Sequence, residues 1–177
     1  MPDYRRAYQS GGTWCFTVNA LERDKQLLTD HIGLLWHCIR KTKRQRSFRI
    51  DAMVILPDHL HAVWSLPEGD TDFPTRWRLI KTGFSKGLAK TEPRDEVRIA
   101  RNERGIWQRR YWEHLITDDD DLNRCIDYCY WNPVKHGLVE RMIDWPHSTY
   151  HRDLRAGRFE HDWQPRAIKA GSFGEPP

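Results

Sequence analysis

The stretch FRIDAMVILPDHLHAVWSL, Phe48 to Leu66, decides the fold. Two runs rich in β-branched and apolar residues, Phe48 to Leu56 and His59 to Leu66, flank Pro57-Asp58. Runs of this kind read as strands, and so short a Pro-Asp link closes an antiparallel hairpin. Alternate residues of a strand share a face. His59 and His61 therefore project together, while Leu60 turns to the other side and packs in a core. Two imidazoles on one face of a strand make half of a divalent-metal site. The plainer alternative is two surface histidines with no ligand, since a short motif is weakly specific.

Outward from the hairpin the pattern alternates. Thr13 to Leu21 (TWCFTVNAL) is aromatic and β-branched, a first strand. Thr29-Asp30 offers a helix N-cap, and Ile32, Leu35, Trp36 and Ile39 recur at helical spacing up to a basic end at Arg40 to Arg46. Past Pro67-Glu68-Gly69-Asp70, a second helix is predicted over Pro74 to Ala89, with Trp77, Ile80, Phe84 and Leu88 on one face. Lys90 to Gly105 is charged and irregular and reads as a mobile loop. Ile106 to Ile116 reads as an extended segment or fourth strand. Asp118 to Asp121 favours a helix start, and the helix runs through Leu122, Ile126 and Tyr130 to about Asn132, where Pro133 and Gly137 stop it. The remainder, from Trp145, reads as a tail with little regular pattern. Strand, helix, strand, strand, helix, strand, helix is the order of an α+β fold: a ferredoxin-like antiparallel sheet of split β-α-β type with helices on one face. Many unrelated functions use that fold, so it decides nothing about activity.

The last main helix carries Tyr128, with Asn132 four residues on, so the two share a face. Asn132 can then offer a carbonyl oxygen as a further metal ligand. Tyr130 stands about 200° round the helix from Tyr128 and cannot face the same point. A core aromatic whose hydroxyl finds a partner is the plainer reading of Tyr128.

Composition sets the bounds. The 177 residues are 38% hydrophobic, enough for one compact domain and too few for two. No run approaches the roughly 18–20 apolar residues of a membrane helix, and Met-Pro-Asp-Tyr-Arg-Arg is no secretory signal. The expected location is cytoplasmic. Cys15, Cys38, Cys125 and Cys129 form no CxxC pair and read as reduced thiols that pack as small hydrophobes. The net charge of +4 combines 29 Lys and Arg with nine Trp. Cations suit phosphates and rings stack on unpaired bases.

Several separated strings carry a resemblance: Leu56-Pro57-Asp58-His59-Leu60-His61, Asp127-Tyr128, and Trp131-Asn132-Pro133-Val134-Lys135-His136-Gly137-Leu138-Val139. With Asp3-Tyr4-Arg5-Arg6, Gly11-Gly12-Thr13-Trp14, Trp107 to His114 and Asp144 to Asp153, they resemble the single-tyrosine transposases with a His-hydrophobic-His motif. More narrowly, they resemble those associated with repetitive extragenic palindromes of bacteria. The match runs to about Trp163, which gives a transposase domain over 1–163 and a tail over 164–177. The resemblance implies Mg²⁺ or Mn²⁺ on His59 and His61, with Asn132 in the place of the third ligand, where many members have Gln or Glu. It implies that Tyr128 attacks a DNA phosphate and that the partners are single-stranded palindromic hairpins. It further implies a bacterial, nucleoid-associated protein that acts as a monomer or weak homodimer.

A tyrosine suits such chemistry. Only about 0.1% of a phenol with pKa near 10 is ionised at neutral pH, so attack needs a metal, a base or a nearby cation. A phosphotyrosine link keeps the bond energy, so the same site can rejoin strands. Candidate phosphate contacts are Arg5, Arg6, Lys41, Lys43, Arg44, Arg46, Arg109 and Arg110. Trp107, Tyr111 and Trp112 are candidates to stack on bases, whereas Trp36 and Trp77 read as core. A catalytically silent hairpin binder, a replication-initiator nuclease and a zinc-stabilised RNA-binding fold are the competing classes. No cysteine adjoins the histidine pair in sequence, which disfavours a closed zinc site there.

Overall fold

The computed structural model describes residues 9–92, 94–160, 163–165 and 173–174. Its centre is a four-stranded antiparallel sheet of β1 (Thr13–Asn19), β2 (Arg49–Ile55), β3 (His59–Ser65) and β4 (Trp112–Leu115), in the order β2-β3-β1-β4. The β2–β3 hairpin closes as expected, with the Leu56 amide donating to the His59 carbonyl at 2.8 Å. The helices are α1 (Leu27–Asp30), α2 (Ile32–Gln45), α3 (Phe73–Gly87), α4 (Glu96–Ala100), α5 (Asp119–Lys135) and α6 (Tyr150–Arg155).

Alternation along the strands builds two cores. Trp14, Phe16 and Val18 of β1, with Leu60, Ala62 and Trp64 of β3, face α2 and α3. Trp64 stacks on Trp77 of α3, ring centroids 4.1 Å apart. Trp36 is half-buried against the same core. Helices on one face therefore describes α2 and α3. Helix α5 covers the opposite face, where Cys15, Ala52, Val54 and Val63 meet Cys125, Tyr128 and Cys129. The reason is legible in Ala52 to Leu56: apolar side chains at both parities cannot leave either face to water.

Three other expectations change. Pro133 does not stop α5, which runs on to Lys135. Proline cannot donate to the carbonyl four residues back, yet buried Pro133 keeps helical company, and the His136 amide still reaches the Asn132 carbonyl at 3.0 Å. The helix ends on Gly137, whose φ of +66° is open to glycine. The 90–105 segment is no bare loop. It contains α4, and Arg104 ties it down by pairing with Glu92 and donating to the Leu88 and Ala89 carbonyls. The region from Trp145 is built onto the sheet edge. The Ile55 and Thr149 amides donate to the carbonyls of His147 and Met53, and Trp145 Nε1 donates to the Ile55 carbonyl. An edge strand offers unpaired backbone groups, and this segment covers those of β2. Only Trp112–Leu115 of the predicted fourth strand pairs as a strand; Trp107 makes an isolated bridge to Ala20.

Candidate active site

His59 and His61 stand on the α5 face of β3, and both are buried. Their ring centroids are 5.0 Å apart. Register places Asn19 opposite His59 and Thr17 opposite His61, so β1 supplies the neighbours. His61 Nδ1 shares a 2.8 Å hydrogen bond with Thr17 Oγ1. His59 Nδ1 shares one of 2.6 Å with Asp58 Oδ1, and Arg23 pairs with the other oxygen of that carboxylate. Burial would raise the Asp58 carboxyl, but His59 and the Arg23 guanidinium outweigh it and hold it at about 2. Both imidazoles are thus anchored through Nδ1, and Nε2 is the nitrogen each can use as a ligand. Anchoring of the second ring nitrogen by a carboxylate or hydroxyl is the usual support of a metal-binding histidine.

Helix α5 brings Tyr128 to this pair. Its ring lies 5.2 Å from that of His61, nearly perpendicular. The Lys135 ammonium donates to the Tyr128 hydroxyl at 2.7 Å and lies 4.9 Å from the ring centre. Seven residues are almost two full turns, so Lys135 returns to the face of Tyr128; this contact exists because the helix continues through Pro133. Asn132 is fully buried, its Nδ2 reaching the Tyr128 carbonyl at 3.5 Å. Its Oδ1 accepts no hydrogen bond among the described residues. Two neutral imidazoles and a buried amide oxygen are a donor set that fits Mn²⁺ and is acceptable to Mg²⁺. Tyr130 points elsewhere, as its position round the helix predicts: its hydroxyl bonds Asp153 Oδ2 at 2.5 Å.

Two neighbours of the site were not singled out from sequence. Lys135 needed the helix to pass Pro133. His136, with its ring 5.1 Å from that of His59, lies beyond the helix end, where periodicity no longer predicts direction. A third neighbour is Phe173, whose ring stacks on Tyr128 at 3.9 Å and whose carbonyl accepts from Thr17 Oγ1 at 2.7 Å. Nothing local to a Ser-Phe-Gly string signals that contact.

The candidate DNA contacts scatter. Trp112 is opposite Thr17 in register and lies 6.0 Å from Phe173, at the border of the site. Arg109 and Arg110 are exposed just past Gln108, whose amide donates to the Asn19 carbonyl. Arg109 pairs with Glu103. Lys41, Lys43 and Arg44 are exposed at the end of α2, on the far face of the sheet from Tyr128. Arg5 and Arg6 lie outside the described residues. A cavity of about 590 Å³ beside α3 is lined by Lys81, Lys90, Arg94, Arg104, Trp107 and Arg109 among others. Burial pushes the Lys81 ammonium down to about 8. No described helix is long and apolar enough to cross a membrane.

No family model matches the chain. It is 48% identical over 163 residues to the REP-associated tyrosine transposase of Escherichia coli, covering 92% of this chain and 91% of that one. A Haemophilus influenzae protein described under the same family name is 43% identical over 164 residues, covering 92% and 93%. A solved structure of a REP-associated tyrosine transposase bound to a REP hairpin superposes with a TM-score of 0.85 at 46% identity, covering 100% of this chain and 99% of the other.

Proposed function

The chain belongs to the REP-associated tyrosine transposases, and on that premise we propose that it nicks and rejoins single-stranded DNA at palindromic hairpins through Tyr128. The observation that supports this reading most directly is the Lys135 ammonium on the Tyr128 hydroxyl, 2.7 Å away, beside the His59–His61 pair. Tyr128 Oη attacks the phosphorus and forms the phenol–phosphate bond. The bond from phosphorus to the 3′-oxygen breaks, and the proton lost by the phenol ends on that oxygen. The products are a 5′-phosphotyrosine and a free 3′-hydroxyl, and the reverse attack rejoins strands. Lys135 favours the phenolate by donating to its oxygen. His59, His61 and Asn132 would hold Mg²⁺ or Mn²⁺ through Nε2, Nε2 and Oδ1. When bound, the cation offsets charge on a non-bridging phosphate oxygen. Asp58 and Thr17 keep the imidazoles oriented. Arg109, Arg110 and Trp112 engage the hairpin near the site, Arg5 and Arg6 also contact its phosphates, and Lys41, Lys43 and Arg44 form a separate phosphate-binding patch. The protein acts in the cytoplasm, at the nucleoid, as a monomer or weak homodimer.

The test is a labelled single-stranded palindromic hairpin incubated with Mn²⁺ and resolved on a denaturing gel. A covalent protein–DNA band is expected, lost in Tyr128→Phe while hairpin binding persists. Adducts that survive in Tyr128→Phe refute the assignment. The second reading is a hairpin binder that does not cut. Phe173 stacked over a buried Tyr128 favours it, and the absence of any band at every Mn²⁺ and Mg²⁺ concentration would establish it.

A further inference from the structure

Two strands over from the histidine pair, the α5 face of the sheet carries a second set of metal-type donors. His114 of β4 lies opposite Cys15 of β1 in register, so the two side chains stand side by side against α5. Asp121 and Cys125, four residues apart, occupy one face of that helix. His114 Nε2 is 2.7 Å from Asp121 Oδ2. Among the described residues, His114, Asp121 and Cys125 are the one group of three His, Cys, Asp or Glu whose donor atoms all lie within 4.8 Å of one another. Cys15 and Cys125 are buried in the same core cluster. Asp121, Cys125 and Cys15 are buried, while the His114 side chain is 37% exposed and opens the cluster to solvent. The other oxygen of Asp121 pairs with Arg124.

We propose that His114, Asp121 and Cys125 form a second metal site, distinct from the histidine pair, which takes a thiolate-binding divalent ion of the Zn²⁺ type with a water as fourth ligand. Sulfur with imidazole and one carboxylate selects Zn²⁺ over Mg²⁺, Ca²⁺ or Mn²⁺, which prefer oxygen. Bonds of about 2.0–2.3 Å to a tetrahedral ion place donors roughly 3.3–3.8 Å apart. The 2.7 Å from His114 to Asp121 is the spacing of a shared proton, and it must widen by roughly half an ångström when an ion takes the proton's place. His114 lies on a short edge strand and its side chain is partly exposed, so it can yield. The exchange balances: the Cys125 thiol releases one proton to solvent, and the proton that His114 Nε2 shares with Asp121 moves to Nδ1 of the same ring, which frees Nε2 for the ion. Cys125 precedes Tyr128 by less than one helical turn. A metal here pins the helix that carries the nucleophile to β4, so it is a positioning device and takes no part in the reaction itself.

The discriminating measurement is a Co²⁺ titration of chelator-treated full-length protein, followed by absorbance. The expected result is a thiolate-to-cobalt charge-transfer band in the near ultraviolet with tetrahedral d–d bands, saturating at a single equivalent. The bands should persist when His59 and His61 are both replaced by alanine. Cys125→Ser should lose the charge-transfer band, and His114→Ala should weaken cobalt binding by at least about tenfold. His114 is on the surface, so that variant remains decisive even if Cys125→Ser does not fold. Absence of a thiolate band in the wild type overturns the proposal. So does a band that survives in folded Cys125→Ser, or cobalt affinity unchanged in His114→Ala.

Discussion

Replacing Lys135 by methionine removes the cation from the Tyr128 hydroxyl while keeping the length of the side chain. The ammonium lies 2.7 Å from the phenol oxygen. Against a full phenolate, that separation corresponds to about 1.5 kcal/mol at the dielectric of water and about 6 kcal/mol at an effective dielectric of 20. Lys135 is exposed, so solvent screening puts the contribution toward the lower figure. Loss of a charged hydrogen bond costs about 1.5–3 kcal/mol on its own scale, which agrees. The rate of adduct formation should therefore fall by about 10- to 150-fold. The assay is single-turnover formation of the covalent band with Mn²⁺ and saturating hairpin, so that any loss of DNA affinity does not enter. Lys135→Arg, which keeps a donor and a charge, should recover part of the rate. A Lys135→Met rate within twofold of the wild type would refute the role of this ammonium in activating the phenol.

Three further outcomes follow from the geometry. Phe173→Ala uncovers the Tyr128 ring, so the adduct should form faster than in the wild type in the same assay, with thermal stability little changed; an equal or slower rate would mean that the stacking does not limit access. Leu60→Ala empties a fully buried position beneath the histidine pair and should destabilise the fold by about 2–5 kcal/mol in urea unfolding, whereas a loss under 1 kcal/mol would show that the site can collapse. Lys81 has its folded pKa lowered to about 8 from 10.5 by burial. The folded state therefore carries a penalty below pH 8, lifted as pH rises from 8 to 10.5. Relative to Lys81→Met, the wild type should gain at most about 3 kcal/mol across that window in denaturant titrations at each pH, and parallel profiles would contradict the burial.

Some of this was legible because it depends on short-range periodicity alone. A strand repeats every two residues, so His59 and His61 had to share a face and Leu60 had to leave it. Trp14, Phe16 and Val18 follow the same rule into the α2–α3 core. A helix repeats every 3.6 residues, so Tyr128 and Asn132 had to share a face and Tyr130 had to avoid it. The hairpin, the two crossover helices and the ferredoxin-like order come from the same local patterns.

What those patterns do not contain is which surfaces meet. Whether α5 outlasts Pro133 depends on burial against the sheet, a gain that comes from β2 and β3 and not from residues 128–137. Without that, Lys135 would not return to the phenol. The cover of β2 by Trp145 to Arg152 depends on contacts about 90 to 100 residues apart in sequence, and Phe173 reaches Thr17 across 156. Asp121 and Cys125 share a face of α5 by their spacing, but no spacing brings His114 of β4 to them. Periodicity determines the direction of a side chain relative to its own strand or helix. Only the packed fold determines what lies there to meet it, because that is settled by the burial of apolar faces drawn from the whole chain.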